Sequence, residues 1–216
     1  MPLFSFFKQR KIQQLGIKGE LPGPDDTLAP DKLFSQWFEF AKEAGMALPE
    51  ATSLATVSAE GQPSSRMVLL KGHDQDGYVF FTNYNSRKAK ELLQNPQAAM
   101  LFHWTQLQRQ VRIEGTIKKI SNTESDIYFA SRDRLSRQGA HASQQSEPIE
   151  SRAALEEQLE KIRKKYPLQV PRPENWGGYR LTPLRYEFWQ GRSGRIHDRL
   201  RFDLTPSAWR TTRLQP

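Results

Sequence analysis

The sequence predicts a mainly β protein with flanking helices, folded as an antiparallel barrel or sandwich. Apolar residues alternate with period two over much of the chain, and the dipeptides Glu60-Gly61 and Asp76-Gly77 are typical of hairpin turns between such strands. Only a few segments have the spacing of apolar residues that indicates a helix. The strand-helix-strand order around residues 80–104 leaves a doubly wound fold as the alternative.

The first 30 residues are predicted to be a flexible N-terminal arm, because "GELPGPDDTLAP" concentrates Pro, Gly and Asp near its end. Residues 31–216 are expected to form a single domain. Asp31 is predicted to cap its first helix, in which apolar residues recur at helical spacing. These residues are Leu33, Phe34, Trp37, Phe38 and Ala41.

The middle of the chain is predicted to consist mainly of strands. Three strands, separated by the two hairpin signals, are expected within residues 53–82. A helix from Ser86 to Gln94 follows, and Asn95-Pro96 ends it. The segments "AAMLFHW" and "QVRIEGTIKKI" are then expected to form two further strands.

The C-terminal half is predicted to contain two helices and a hairpin. The sequence "TESD" resembles a capping box and predicts a helix over residues 123–132. Residues 133–150 are predicted to be a loop, whereas residues 151–166 have the spacing of an amphipathic helix. The last strands are expected on either side of a turn at 191–194, with a final strand from about residue 208.

The composition is basic, with a formal net charge of +8 and an isoelectric point of about 9.8. Such an excess attracts polyanions, but binding sites for small phosphates use the same residue types, so charge alone does not decide between them. Cysteine is absent and no apolar run approaches the roughly 20 residues of a membrane span, so a soluble, cytoplasmic protein is expected. Four His residues without paired ligand spacing predict no metal site.

Ser86, Arg87 and Lys88 stand at the predicted start of a helix, where the helix macrodipole disfavours cations. Backbone N–H groups, a hydroxyl, a guanidinium and an ammonium together form a cradle suited to a phosphate. The alternative is a helix start whose long cations simply extend into solvent.

A second group of candidates lies in "SRMVLLK", which is predicted to be a strand. Alternation places Arg66, Val68 and Leu70 on one face and Met67, Leu69 and Lys71 on the other. Lys71 ends an otherwise apolar face, so it points either into a pocket or, as a lysine at a strand end, to solvent.

Two further groups combine cations with polar side chains. Tyr128 and Arg132 share a predicted helix face, with Ser136 just beyond it. The three suit a phosphate monoester; the alternative is that they are exposed polar residues without a ligand. In "GRIHDR", strand alternation is expected to place three groups on one face, where an anion would relieve their repulsion. These groups are Arg195, His197 and Arg199.

Seven segments, in collinear order from about residue 31 to the end, resemble the pyridoxamine 5'-phosphate oxidase family. They are "RMVLLK" (66–71), "FFTNYNSRKAKEL" (80–92), "RQVRIEG" (109–115), "YFASRDRLSRQGAHASQQS" (128–146), "NWGGYR" (175–180), "EFWQGRSGRIHDR" (187–199) and "WRTTRLQP" (209–216). The resemblance implies an antiparallel FMN-binding split β-barrel and a homodimer that binds two FMN at the subunit interface. It also implies oxidation of pyridoxamine or pyridoxine 5'-phosphate to pyridoxal 5'-phosphate, in which dioxygen reoxidises the flavin and gives hydrogen peroxide.

The resemblance also implies site residues, matched by position. FMN contacts fall to Arg66, Met67, Val68, Leu69, Leu70, Lys71, Phe81, Thr82, Arg87, Lys88, Gln110, Gln145, Ser146, Trp189 and Arg199. Among them, Arg87 and Lys88 would bind the flavin phosphate. The residues implied to bind the substrate phosphate are Lys71, Tyr128, Arg132 and Ser136. Arg195 and His197 would lie over the pyridoxal ring and are the catalytic candidates.

Other readings remain at this point. The family often carries Arg-Glu-Tyr in its N-terminal arm, whereas this region reads "RKIQQLGIKGEL", so no contact is assigned to the arm. A flavin reductase-like protein, or a non-catalytic carrier of FMN or pyridoxal phosphate, would keep Arg87 and Lys88 without needing the other sets. A nucleic-acid-binding barrel predicts aromatic residues interleaved with Lys and Arg on one sheet face, a pattern that the sequence lacks.

Overall fold

The computed structural model describes Leu21, Gly23 and residues 28–216. The predicted N-terminal arm therefore lies largely outside the described residues. Every strand pairing within the described ranges is antiparallel, and the strands belong to one sheet. This confirms the mainly β class and excludes the doubly wound alternative, which requires parallel strands.

Five α-helices and nine strands make up the described part of the chain. The helices are α1 (Pro30–Glu43), α2 (Arg87–Gln94), α3 (Asn122–Ser131), α4 (Arg134–Ala142) and α5 (Arg152–Lys165). The strands are β1 (Ala51–Val57), β2 (Pro63–Leu69), β3 (Gly72–Asp74), β4 (Gly77–Asn83), β5 (Gln97–Trp104), β6 (Arg109–Lys119), β7 (Trp176–Gln190), β8 (Asp198–Leu204) and β9 (Trp209–Leu214).

The long strand β7 organises the sheet, whose main order is β2-β1-β5-β6-β7-β4-β3. On one edge β7 pairs with β6 along most of its length. On the other edge its first half pairs with β4 and its second half with β8, which in turn pairs with β9. Because β7 has three neighbours, the sheet divides along it and curls into an antiparallel half-barrel with flanking helices.

Aromatic side chains from α1 and the sheet fill the core. Phe34 is fully buried, and its ring centroid lies 4.8 Å from that of Tyr78 and 5.0 Å from that of Phe102. Trp37 packs edge-on against Phe188 in β7, with ring centroids 5.4 Å apart. Each fully buried side chain of this size contributes about 1.5–3 kcal/mol relative to an exposed one. The helical spacing of apolar residues in α1 thus attaches the helix to the sheet.

Two predicted helix starts are wrong. Helix α1 begins at Pro30 with Ala29 as its N-cap, so Asp31 lies in the first turn rather than at the cap; the fixed φ of proline suits this first position. The capping box of α3 is formed by Ser121 and Glu124, which have the required spacing of three residues.

The predicted loop over residues 133–150 is wrong in part, because it contains helix α4. Asp133 is the N-cap of this helix, and its carboxylate accepts a hydrogen bond from the Ser136 N–H at 2.8 Å. Only Gln138 and Ala142 of α4 are fully buried. The helix therefore has little apolar periodicity, and its cap is the local signal that marks its start.

The predicted strand in "GRIHDR" begins later than expected. Residues 193–195 form a 3₁₀ turn, and β8 begins at Asp198. Gly194 and Arg195 have positive φ angles of 66° and 61°, which an extended strand does not allow. Arg195, His197 and Arg199 consequently do not share one strand face, and that expectation is wrong.

The bulge between β6 and β7 gives a stability prediction. The pairing register shifts between Glu114 and Gly115, and a Cβ atom on Gly115 would lie 2.0 Å from the carbonyl oxygen of Thr182. We expect Gly115→Ala to lower the free energy of unfolding by about 1–3 kcal/mol, because the backbone must shift. Urea denaturation at fixed protein concentration measures this change.

Gly139→Ala is the matched control. Gly139 lies within α4, and a Cβ atom there meets no atom within 4 Å. This substitution should raise the free energy of unfolding by about 0.5–1 kcal/mol, since alanine has the better helix propensity. Equal stability of Gly115→Ala and the unmodified protein would contradict the clash.

Candidate functional site

A cleft of about 1040 Å³ lies among β2, the end of β4, the start of α2, and helices α3 and α4. Among the described residues it is lined by five cationic side chains and one carboxylate, that of Asp133. The cations are Arg66, Lys71, Arg87, Lys88 and Arg132. Met67, Val68 and Leu69 contribute apolar surface between them. This cleft is therefore suited to an anionic ligand that also has an apolar part.

Fourteen of the site residues implied by the sequence line this one cleft. They are Arg66, Met67, Val68, Leu69, Lys71, Phe81, Thr82, Arg87, Lys88, Tyr128, Arg132, Ser136, Gln145 and Ser146. Leu70 does not line it, because its side chain is buried in the core with 4% of its surface exposed. The two groups of cations that the sequence suggested thus face a common space.

The first group lies where β4 turns into α2. The Ser86 hydroxyl donates to the carbonyl oxygen of Asn83 at 2.7 Å, and the Asn85 N–H donates to the Asn83 side chain, also at 2.7 Å. These bonds fix a tight turn, so Arg87 is the first residue of the helix. The free N–H groups and the positive end of the helix dipole therefore add to the charges of Arg87 and Lys88.

Lys88 is buried without an acidic partner. Its side chain is only 7% exposed, and its Nζ donates to Thr82 Oγ1 at 3.1 Å, Ser86 Oγ at 3.3 Å and Gln145 Oε1 at 3.1 Å. No salt bridge of Lys88 occurs among the described residues. Burial, and then the positive charge of Arg66, lower the pKa of Lys88 to about 8. An anion in the cleft would stabilise the charged form.

Arg66 reaches the same place from β2. Its guanidinium donates to the Leu54 carbonyl oxygen at 3.2 Å and to Ser64 Oγ at 2.5 Å, and it forms a salt bridge with Glu91 at 3.2 Å. Arg87 also forms a salt bridge with Glu91, at 2.8 Å, while its side chain remains 60% exposed. The two arginines from different elements are thus held by one carboxylate.

The second group of polar residues lies across the cleft. Tyr128 is in α3, Arg132 follows its last residue, and Ser136 is in the first turn of α4. Arg132 is therefore not helical, although the prediction placed it on a helix with Tyr128. All three side chains, and Lys71 just after β2, nevertheless line the cleft.

An aromatic stack supports Arg132. Phe81 and Tyr128 stack with ring centroids 3.8 Å apart. The Trp176 ring lies nearly parallel to both, with its centroid 5.4 Å from that of Phe81 and 6.2 Å from that of Tyr128. The Arg132 guanidinium carbon lies 4.6 Å from the centroid of the Trp176 ring, within cation–π range. Arg132 Nη1 is buried and has no hydrogen-bond partner in the described ranges. A buried donor of this kind is satisfied when an anion accepts from it.

A second, smaller cleft of about 190 Å³ contains three other predicted residues. Gln110, Trp189 and Arg199 are adjacent in the register of β6, β7 and β8. His197 packs on Trp189 with ring centroids 4.6 Å apart, and its Nδ1 accepts a hydrogen bond from the Arg192 N–H. Arg195 is exposed in the preceding turn. None of the described residues lines both clefts, so the two sets of predicted residues lie apart within one chain.

Sequence reasoning missed two residues near the large cleft. Trp176 lines it and supports Arg132, but the sequence indicated it only as part of "NWGGYR". Glu91 lies beneath the first group of cations, and its spacing of four residues from Arg87 was the available signal. Two absences hold for the described ranges: no cluster of His, Asp and Glu suits a metal ion, and no helix is long and apolar enough to cross a membrane.

Two family models match most of the chain. Residues 41–166 match the family model described as pyridoxamine 5'-phosphate oxidase. Residues 176–216 match the model described as the pyridoxine 5'-phosphate oxidase C-terminal dimerisation region, which supports a homodimer. The small cleft is built partly from this second region.

Individual relatives cover nearly the whole chain. A pyridoxine/pyridoxamine 5'-phosphate oxidase from Cupriavidus necator is 51% identical over 201 residues, which are 93% of this chain and 95% of the relative. The structure of PhzG from Burkholderia lata, in complex with tetrahydrophenazine-1-carboxylic acid, is 32% identical with a TM-score of 0.87, covering 93% of this chain and 100% of that chain.

A more distant structure has the same fold. It is a pyridoxamine 5'-phosphate oxidase-related, FMN binding protein from Nostoc punctiforme, which is 19% identical with a TM-score of 0.71 and covers 90% of this chain and 100% of that chain. The two family models and the relative that is about half identical decide the assignment. The chain belongs to the pyridoxine/pyridoxamine 5'-phosphate oxidase family and is an oxidoreductase.

Proposed function

We propose that the protein oxidises pyridoxamine or pyridoxine 5'-phosphate to pyridoxal 5'-phosphate with FMN as cofactor and dioxygen as acceptor. Hydrogen peroxide is released, and ammonia as well when the substrate is the amine. The observation that carries this proposal is the presence of two separate cationic groups in one cleft, one around Lys88 and one around Arg132. Two phosphorylated molecules, a cofactor and a substrate, account for both groups.

The residues around α2 fit the phosphate of FMN. Arg66, Arg87 and Lys88 carry three positive charges against the single carboxylate of Glu91, and Lys88 has only neutral partners. The FMN phosphate would bind to these cations and to the N–H groups at the start of α2. Met67, Val68, Leu69, Lys71, Phe81, Thr82, Gln145 and Ser146 would hold the rest of the cofactor. Backbone groups of Leu70 would complete this strand edge, since its side chain lies in the core.

A second copy of the chain would complete the flavin site. Gln110, Trp189 and Arg199 line a separate cleft, and this cleft is formed partly by the dimerisation region. In a homodimer, the small cleft of each subunit would face the large cleft of the other, so each FMN would lie at the interface. This arrangement supports two sites per dimer and explains why the implied residues divide into two sets.

The second cationic group fits the phosphate of the substrate. Arg132 Nη1 is buried without a hydrogen-bond partner among the described residues, and Lys71 and the hydroxyls of Tyr128 and Ser136 lie in the same cleft. When bound, FMN supplies the chemistry of accepting hydride from the substrate carbon. The protein would orient the substrate through its phosphate, which converts binding energy into alignment.

Arg195 and His197 are the proposed catalytic residues. His197 is held by its packing on Trp189 and by the hydrogen bond that its Nδ1 accepts from the Arg192 N–H. Arg195 has a left-handed backbone conformation, which is uncommon for a residue other than glycine and is frequent at functional sites. We assign both residues to orienting the substrate ring and to moving its proton as hydride leaves.

Two rival functions would not require the second cationic group. A flavin reductase-like protein or a non-catalytic FMN carrier would use only the residues around α2. A protein that acts on a phenazine carboxylate would bind a ligand without a phosphate. PhzG is in complex with a compound of this type. The set of Lys71, Tyr128, Arg132 and Ser136 favours the phosphorylated vitamer.

Anaerobic mixing tests the function directly. The purified protein should be yellow, and pyridoxine 5'-phosphate added without oxygen should bleach its flavin absorbance. Unphosphorylated pyridoxine at the same concentration should bleach it much more slowly, because it cannot use the second cationic group. A yellow protein that is not bleached by either phosphorylated vitamer would contradict the oxidase function.

In the same assay Arg195→Leu should retain its FMN while bleaching at least about tenfold more slowly.

The pH dependence of FMN binding tests the role of Lys88. The pKa of about 8 in the protein without cofactor means that Lys88 loses its charge above this pH. FMN affinity should therefore fall as the pH rises through about 8, because a neutral amine attracts phosphate less. Titration of flavin fluorescence between about pH 7 and pH 9 measures this change. Lys88→Arg should remove the fall, since guanidinium stays charged; a fall of equal size in that variant would refute the assignment.

A further inference from the structure

Glu91 lies directly behind the first group of cations. It is in the second turn of α2, four residues after Arg87, and only 5% of it is exposed. It does not line the cleft. Its carboxylate accepts hydrogen bonds from Thr56 Oγ1 at 2.5 Å, Ser64 Oγ at 2.7 Å, Arg66 Nη2 at 3.2 Å and Arg87 Nε at 2.8 Å. One side chain therefore connects two strands and a helix.

The hydroxyl groups around Glu91 are fixed by the sheet. Thr56 in β1 and Ser64 in β2 are directly opposite each other in the antiparallel register. Arg66 also donates to both of these hydroxyls and to the Leu54 carbonyl oxygen. The network thus relates the position of α2 to that of the β1–β2 hairpin, which carries Arg66.

The carboxylate of Glu91 is charged over the physiological range. Burial alone would raise its pKa, but hydrogen bonds from Thr56, Ser64 and Arg87, together with the charge of Arg66, lower the pKa to about 2. Glu91 neutralises one of the three charges of Arg66, Arg87 and Lys88. Two positive charges remain, which would balance the two negative charges of a phosphate monoester dianion.

The contacts of Glu91 also orient Arg87. Glu91 occupies Nε of Arg87, whereas the terminal amino groups of Arg87 have no partner in the described part of the chain. The guanidinium is a planar fork, so a bond at Nε sets the direction of the remaining donors. These donors are available to the cleft, which Arg66 also lines. Nη1 and Nη2 of Arg66 already donate to protein acceptors, so Arg66 offers a ligand its charge and its Nε.

We propose that Glu91 is a positioning residue for the cofactor phosphate, which acts by holding Arg66 and Arg87 in the orientation that binds it. This inference rests on the proposed function. It makes a prediction opposite to that of simple electrostatics. Removing a negative charge near an anion site should strengthen anion binding if charge dominates, but should weaken it if orientation dominates.

The test compares flavins with and without phosphate on the full-length protein after removal of its flavin. Affinities for FMN and riboflavin are measured by quenching of flavin fluorescence. We expect Glu91→Gln to weaken FMN binding by about tenfold or more, because two charge-assisted hydrogen bonds lose their geometry. Riboflavin binding should be unchanged, since riboflavin has no phosphate for the arginines to contact.

Glu147→Gln is the matched control. Glu147 is exposed and forms a 2.7 Å salt bridge with Lys90, which is also in α2. This substitution removes the same charge near the same helix without touching Arg66 or Arg87. FMN affinity should be unchanged or slightly raised in this variant. A loss as large as that in Glu91→Gln would overturn the inference.

The remaining outcomes are also decisive. Unchanged or tighter FMN binding in Glu91→Gln, or an equal loss of affinity for both flavins, would overturn the positioning role. Glu91→Asp provides a second variant, which keeps the charge and retracts the carboxylate. It should weaken the binding of FMN but not that of riboflavin. Unchanged FMN binding would overturn the inference. If the unmodified protein does not prefer FMN to riboflavin, the proposed cofactor is wrong and the inference fails with it.

Discussion

The central constraint in this structure is an excess of positive charge that the protein does not neutralise. Lys88 is buried among neutral acceptors at the start of α2, and Arg66 and Arg87 share the single carboxylate of Glu91. Burying an ammonium without a counter-ion is costly, and cations at a helix N-terminus add to the cost. A bound phosphate offsets both the cost of burying Lys88 and the cost of placing cations at the start of α2. The site therefore suits an anionic ligand, because the described part of the chain does not supply enough negative charge of its own.

The fold explains how this cluster comes to face a second one. Strand β4 ends in the turn that starts α2, and Phe81 in the same strand packs against both Tyr128 and Trp176. The stack supports Arg132 through the Trp176 ring. One strand thus positions both cationic groups, as the proposed alignment of two phosphorylated molecules requires. The division of the sheet along β7 leaves Trp189 and its neighbours in another cleft, which is why the proposed flavin site includes a second subunit.

Much of this could be predicted from the sequence, because the signals are local. Period-two alternation gave the strands, and the position of Arg87 and Lys88 at a helix start indicated an anion site. The missed features depend on tertiary structure or on backbone conformation. The alternation of "GRIHDR" does not reveal the positive φ angles of Gly194 and Arg195, and α4 has too few buried apolar residues to show helical spacing. The role of Glu91 depends on the pairing of β1 with β2, which brings Thr56 and Ser64 to it.

The charge of the bound phosphate tests the central claim most directly. A phosphate monoester in water has a second pKa of about 6, and nearby cations lower it by favouring the dianion. Phosphorus NMR of the protein with bound FMN should therefore show a resonance at the dianion position that does not change between about pH 5 and pH 8. A resonance that titrates like that of free FMN would mean that the phosphate lies away from Arg66, Arg87 and Lys88, and would contradict the account.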